Sequence, residues 1–179
     1  MNNLVIYGLE ELEKLTVEWS TKNGIITNGK AVTQALKLVS EFGELNKHLH
    51  SLEGENTELC QDDIGDMAVV LTNLSRLIGA TSLAECLPDF NDRRDGILVL
   101  GDFLGQLCDN IIKEEFEQAK TNIGNCIYQL IFLSSSVCKT DFNECWSKAY
   151  HEIKDRKGFL TPDGNFIKNT DPAYKDWVK

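Results

Sequence analysis

Apolar residues recur at helical spacing along most of the chain, and the breaks between the stripes mark out its elements. Leu9, Leu12, Leu15 and Trp19 share one stripe, which predicts a first helix over 9–22. Asn23-Gly24 ends it, and the stretch from Gly24 to Gly29 reads as a loop punctuated by two glycines. Leu38, Phe42, Leu45 and Leu49 line a second helix over about 31–51. A polar turn around Gly54 follows, then a third helix over about 58–78 that Gly79 stops. Thr81 or Ser82 is placed to cap a new N-terminus at Leu83-Ala84-Glu85.

Beyond this point the pattern repeats. A shift of 59 residues lays Ile64-Gly65-Asp66 on Ile123-Gly124-Asn125, Leu71 on Leu130, Leu74 on Leu133, Ser75 on Ser134, Thr81 on Thr140 and Glu85-Cys86 on Glu144-Cys145. Gly43-Glu44-Leu45 resembles Gly105-Gln106-Leu107 at a slightly longer offset. The ungapped run with shared turn residues favours duplication over chance likeness. The organisation expected is a single all-α domain over 1–179, with one repeat over 9–90, a degenerate repeat and basic helix over 91–158, and an arm over 159–179. Antiparallel helical hairpins would form a four-helix-bundle core. Phe142 opens a last helix running to about 156. Thr161-Pro162-Asp163-Gly164-Asn165 signals a turn between Phe159-Leu160 and Phe166-Ile167, a short hairpin or extended arm, and Trp177 is a candidate anchor for the tail.

Composition narrows the function classes. The chain has 179 residues and a formal net charge of −10, which disfavours nonspecific nucleic-acid binding. Its 3 prolines suit long helices. No apolar run reaches the roughly 20 residues that span a bilayer. The 6 cysteines show no C-x-x-C pair and no zinc-ligand spacing, and no signal sequence is evident, so core cysteines in a reducing cytoplasm are expected.

The candidate chemistry lies in two acid pairs, Glu41-Phe42-Gly43-Glu44 and Asp63-Ile64-Gly65-Asp66. At i, i+3 spacing each pair projects from one helix face. Four acids facing each other among apolar residues would repel unless a cation sat between them, and oxygen-only ligands favour Mg²⁺ or Mn²⁺. Gly43 and Gly65 would let the two helices approach closely. In the second repeat Asp63 becomes Asn122, Asp66 becomes Asn125 and Glu44 becomes Gln106, leaving only Asp102 as a remnant acid. That copy is expected to be a structural partner without a metal site.

These residues resemble the motif of the all-α nucleoside triphosphate pyrophosphohydrolases, the MazG-like group and its dimeric dUTPase relatives: E-E-x-x-E, a spacer, then E-x-x-D on two helices. Ser40 stands where the motif has its first Glu, and Asp63 replaces a Glu. Trp19, Gly24-Ile25-Ile26, Asn28, Gln34 and Lys37 also match phage-type members, as do the phrases over 149–158 and 165–168. The resemblance implies hydrolysis of a (deoxy)nucleoside triphosphate to monophosphate and pyrophosphate, with Glu41, Glu44, Asp63 and Asp66 holding Mg²⁺ (or Mn²⁺) and serving catalysis. It tilts the substrate toward a purine, dATP, dGTP or GTP; a dUTPase-like pyrimidine specificity and an inactive nucleotide-binding or assembly protein are the alternatives. Members usually build the core as homodimers, whereas here the second repeat could make an intrachain pseudo-dimer. The host cytoplasm is the expected location if the chain is of phage origin.

Within that reading Glu41 or Asp62 is the candidate proton acceptor. Lys37, Lys154, Arg156 and Lys157 are candidate phosphate contacts, against an i, i+4 ion pair for Lys37 and helix C-terminal placement for the others. Trp19 would stack on a base or fill the core, Gln34 and Asn28 would read a base edge or cap structure, and Asn73 would contact sugar or phosphate or bond between helices. His48 and His50 are expected at the surface.

Overall fold

The computed structural model describes residues 4–50, 57–87 and 96–177, and these are predominantly helical. In order they form α1 (Leu9–Lys22), α2 (Ile25–Asn28), α3 (Ala31–Leu49), α4 (Thr57–Leu77), a 3₁₀ turn (Leu83–Cys86), α5 (Ile97–Ile112), α6 (Phe116–Ser136), α7 (Phe142–Ile153), the strands β1 (Gly158–Leu160) and β2 (Phe166–Lys168), and α8 (Tyr174–Trp177). The strands pair antiparallel with Phe159 opposite Ile167, as the turn signal between them requires. The turn expected at Gly54, the repeat boundary near 90 and the Trp177 side chain lie outside the described residues.

Two expectations from the pattern differ in detail. The stretch read as a loop after Gly24 closes into the single turn α2. Gly24 adopts a left-handed φ of 78°, and its carbonyl accepts from Asn28 N at 2.9 Å. The last long helix stops at Ile153 rather than 156, so the basic cluster lies just past its end. Among the described residues no helix is long and apolar enough to cross a membrane.

Helix α3 packs on α4 and α5 packs on α6, while α3 also meets α5 and α4 meets α6. His48 near the end of α3 reaches Asp63 in the second turn of α4, so this pair runs antiparallel. Gly96 N, at the start of α5, donates to Gln129 Oε1 late in α6, and that pair runs antiparallel too. Leu38, Leu45, Ile64, Met67, Leu71 and Leu74 from the first pair and Leu100, Leu107, Ile123 and Leu130 from the second are essentially fully buried in one core. Each such side chain contributes about 1.5–3 kcal/mol of apolar burial.

Helix α7 crosses this assembly against α4. Gly65 sets the approach: a Cβ there would lie 2.3 Å from the Cys145 carbonyl oxygen and 2.8 Å from the Ala149 Cβ. Gly65 therefore admits α7. The expected approach of α3 to α4 rests on neither glycine, because Gly65 faces α7 and a Cβ on Gly43 would meet nothing within 4 Å. On the far side of α7, Trp146 Nε1 donates to Thr16 Oγ1 of α1 at 3.1 Å.

The 59-residue shift carries α4 onto α6 from first residue to last. Cys60 and Ala119, Ile64 and Ile123, Met67 and Cys126, and Leu71 and Leu130 are buried in both. Ser75 Oγ donates to Thr72 O at 2.8 Å, and Ser134 Oγ donates to Ile131 O at the same distance. Thr81 bonds Glu85 through Oγ1, and Thr140 Oγ1 bonds Glu144 at 2.6 Å. Just before these pairs, Gly79 and Lys139 both take positive φ as the chain leaves each helix. Under an offset of 62 residues, buried Glu41 meets buried Phe103 and Leu45 meets Leu107.

The contrast between the two glycines is measurable. Gly65→Ala should lose about 1–3 kcal/mol through overpacking between α4 and α7. Gly43→Ala should be neutral or gain about 0.5–1 kcal/mol from helix propensity. Chemical denaturation of both variants checks this; equal behaviour would remove Gly65 from its role as the α7 seat.

Candidate functional site

The facing surfaces of α3, α4 and α7, closed at one side by the β1–β2 ribbon, enclose a cleft of about 660 Å³. This lies within the roughly 300–1,000 Å³ typical of small-molecule sites. Helix α3 contributes Gln34, Lys37 and Glu41 at helical spacing, and α4 contributes Asp62, Asp66, Val69, Val70 and Asn73. The ribbon is held over the cleft by Thr33 Oγ1, which donates to Asp163 O at 3.2 Å. Gly164, with a φ of 88°, makes the turn at its tip beside Lys30 and Thr33.

One end of the cleft is acidic. Glu41 is 2% exposed, and Asp62 and Asp66 are half-buried. Glu152 of α7 faces the same space. Burial, reinforced by the charges of Glu41 and Asp62, pushes the Asp66 carboxyl up to about 7; Lys37 opposes this and Glu152 adds to it. Lys37 forms the i, i+4 ion pair with Glu41 anticipated from the spacing, yet its ammonium remains on the cleft wall. Asp62 and Glu152 have no ion-pair partner among the described residues.

The four motif acids are thus divided between two environments. Glu41 and Asp66 line the cleft, whereas Glu44 is exposed outside it and Asp63 is buried beside His48. His48 Nδ1 donates to Asp63 Oδ2 at 2.6 Å, so this histidine is a half-buried partner of an acid and not the surface residue expected. Burial lifts Asp63 to about 6, against the pull of His48. As the side chains stand, no group of three or more His, Cys, Asp or Glu among the described residues is drawn together around a metal.

The remaining candidates also separate. Trp19 and Gln34 are both buried and both on the cleft wall, so each serves packing and the cleft surface at once. Trp19 Nε1 donates to the Arg156 carbonyl at 3.4 Å, and its ring meets Phe166 edge-on with centroids 5.8 Å apart. Arg156 lines the cleft, while Lys154, Lys157 and Asn28 are exposed and do not. Asn73 is 3% exposed on the cleft wall. Glu152, Lys168 and Phe166 also line the cleft without having been singled out as site residues. Glu152 lies in the last turn of α7 just before the basic cluster, a single acid with no paired spacing to mark it in the sequence.

No protein family, curated protein or solved structure is matched by this chain.

The raised carboxyls have a thermodynamic consequence with a definite sign. Asp66 has a folded pKa above its unfolded value, so its contribution is fully present below about pH 4 and is lost as pH rises through about 7. Asp66→Asn, which stays neutral, should match wild type at about pH 3 and exceed it by about 2–4 kcal/mol at pH 8. Denaturant titrations of both proteins in chelator at the two pH values check it; a constant difference would contradict the buried-charge reading.

Proposed function

We propose that this chain is a metal-dependent (deoxy)nucleoside triphosphate pyrophosphohydrolase that cleaves between the α and β phosphates, with a purine nucleotide as substrate. The observation that carries the reading is the single cleft in which an oxygen-only acidic end, three cationic side chains and a ring-bearing wall meet. The purine preference rests on the resemblance of the motif phrases to phage-type members.

The donor set fits a hard divalent cation. Glu41, Asp66 and Glu152 offer only oxygen, and burial together with the charges of Glu41 and Asp62 raises the Asp66 carboxyl, a penalty that Mg²⁺ would relieve. When bound, such an ion polarises the α-phosphorus centre and lowers the pKa of the attacking water. This chain's own residues supply the other parts. Lys37, Arg156 and Lys168 balance the triphosphate oxygens, a task of charge placement more than covalent chemistry. Glu41 is committed to Lys37, so Asp62, unpaired at the cleft wall, is the residue to hold the water and take its proton. Asp63 is committed to His48 and acts at one remove.

The α5–α6 hairpin is, in this reading, the degenerate half of an intrachain pseudo-dimer that completes a four-helix core. The end-to-end register of α4 and α6 and their repeated serine and threonine bonds support it. Phe103 and Asn122 occupy the buried positions that Glu41 and Asp63 hold in the first half, so this half keeps the packing without the charge.

A panel of NTPs and dNTPs with Mg²⁺, read by pyrophosphate release, tests the proposal. Turnover should require the metal, and Glu41→Gln and Asp66→Asn should each reduce kcat by about 100-fold or more. Asp63→Asn should cost less than either. Absence of pyrophosphate release from every nucleotide would defeat the enzyme reading, and preference for dUTP would replace the purine assignment.

A further inference from the structure

The side-chain carbonyl of Asn73 is the one polar group on the cleft wall whose state the proposed chemistry leaves unexplained. Its Oδ1 is buried and accepts no hydrogen bond from any described residue. Buried acceptors are nearly always partnered, and an orphan one costs stability. The Asn73 Oδ1 therefore carries a cost that no described residue offsets.

Its position names the ligand group. Asn73 follows Asp66 by seven residues, about 10 Å along the helix, so it stands two turns from the acidic end. Val69, Val70, Trp19 and Phe166 share that stretch of cleft, which gives it flat apolar and aromatic surface. A planar heterocycle fits such walls, and the unfilled acceptor calls for an N–H on its edge. Gln34, buried on the opposing helix, adds a second amide facing the same cleft. With phosphates at the acidic end, the group reaching Asn73 is the base.

We infer that Asn73 is the specificity-determining residue of this cleft, accepting a hydrogen bond from an N–H on the edge of the nucleobase. The inference rests on the triphosphate reading above. It distinguishes Asn73 from a contact to the sugar, whose 3′-hydroxyl is the other donor within a deoxynucleotide.

The test compares wild type with Asn73→Leu, which removes the acceptor and keeps a branched side chain. kcat/KM is measured for the four dNTPs and for the 3′-deoxy analogue of the preferred one. Calorimetric binding of the corresponding α,β-imido nucleotides with Mg²⁺ runs in parallel. Wild type should favour one base by about 100-fold or more, as expected where a buried polar group is left unpaired by the wrong ligand. Asn73→Leu should narrow that range below tenfold in both turnover and binding, leave the disfavoured bases within about threefold, and raise the apo Tm. Removing the 3′-hydroxyl should cost both proteins the same factor. An unchanged base ratio in the variant overturns the inference, as does a variant loss confined to substrates bearing the 3′-hydroxyl, or a lowered Tm, which would mark a structural residue. Base-selective binding that depends on Asn73 without any pyrophosphate release supports this inference and defeats the enzymatic one.

Discussion

The close contact between α4 and α7 at Gly65 governs the geometry of everything around it. With the Cys145 carbonyl where a methyl group would stand, α7 can lie directly on the helix that bears Asp62, Asp66 and Asn73. That brings Glu152 and Arg156 to the cleft and launches the ribbon that covers its side. Trp146 against Thr16 and Trp19 against the Arg156 carbonyl hold α7 and the residues just beyond it from the opposite flank. The width of the cleft is therefore set by backbone approach, which does not relax as a flexible side chain would.

Electrostatics works against packing at the acidic end. Asp66 sits where burial penalises charge, and its neighbours Glu41, Asp62 and Glu152 add repulsion. Lys37 offsets only part of it from the rim. By the 62- and 59-residue shifts, α5 has Phe103 where α3 has Glu41, and α6 has Asn122 and Asn125 where α4 has Asp63 and Asp66. Comparing the two halves separates what the helical packing needs from what the acids add. The leucines common to both serve packing, and the buried carboxylates among the described residues, Glu41 and Asp63, belong to the hairpin that lines the cleft.

The helices were legible because their apolar spacing is strong and uninterrupted by proline. The turn α2 was not, since it depends on how Gly24 releases α1, a backbone event that leaves no periodic trace. At the site, spacing identified Glu41 and Asp66 as acids on apolar helices, but it could not tell which side of each acidic face would meet the cleft. That depends on the rotation of α3 and α4 against each other and against α7, and it turns Glu44 outward and Asp63 toward His48. Glu152 was invisible for a different reason: one acid on a distant helix has no pattern, and only the seat at Gly65 brings it near Asp66. An unpartnered amide such as Asn73 exists only once its surroundings are known.

The ribbon carries a consequence for the order in which the molecule forms. Its contacts join residues far apart in the chain, Thr33 to Asp163 and Trp19 to Phe166, whereas α3–α4 and α5–α6 are neighbours along it. Local pairings form quickly, and distant ones wait until the entropy of closing long loops has been met. The hairpins can therefore assemble while the chain is still being synthesised, and the cleft wall is added last. During that interval the carboxylates of α3 and α4 remain open to water, so the energetic penalty of enclosing them falls on the final step of folding.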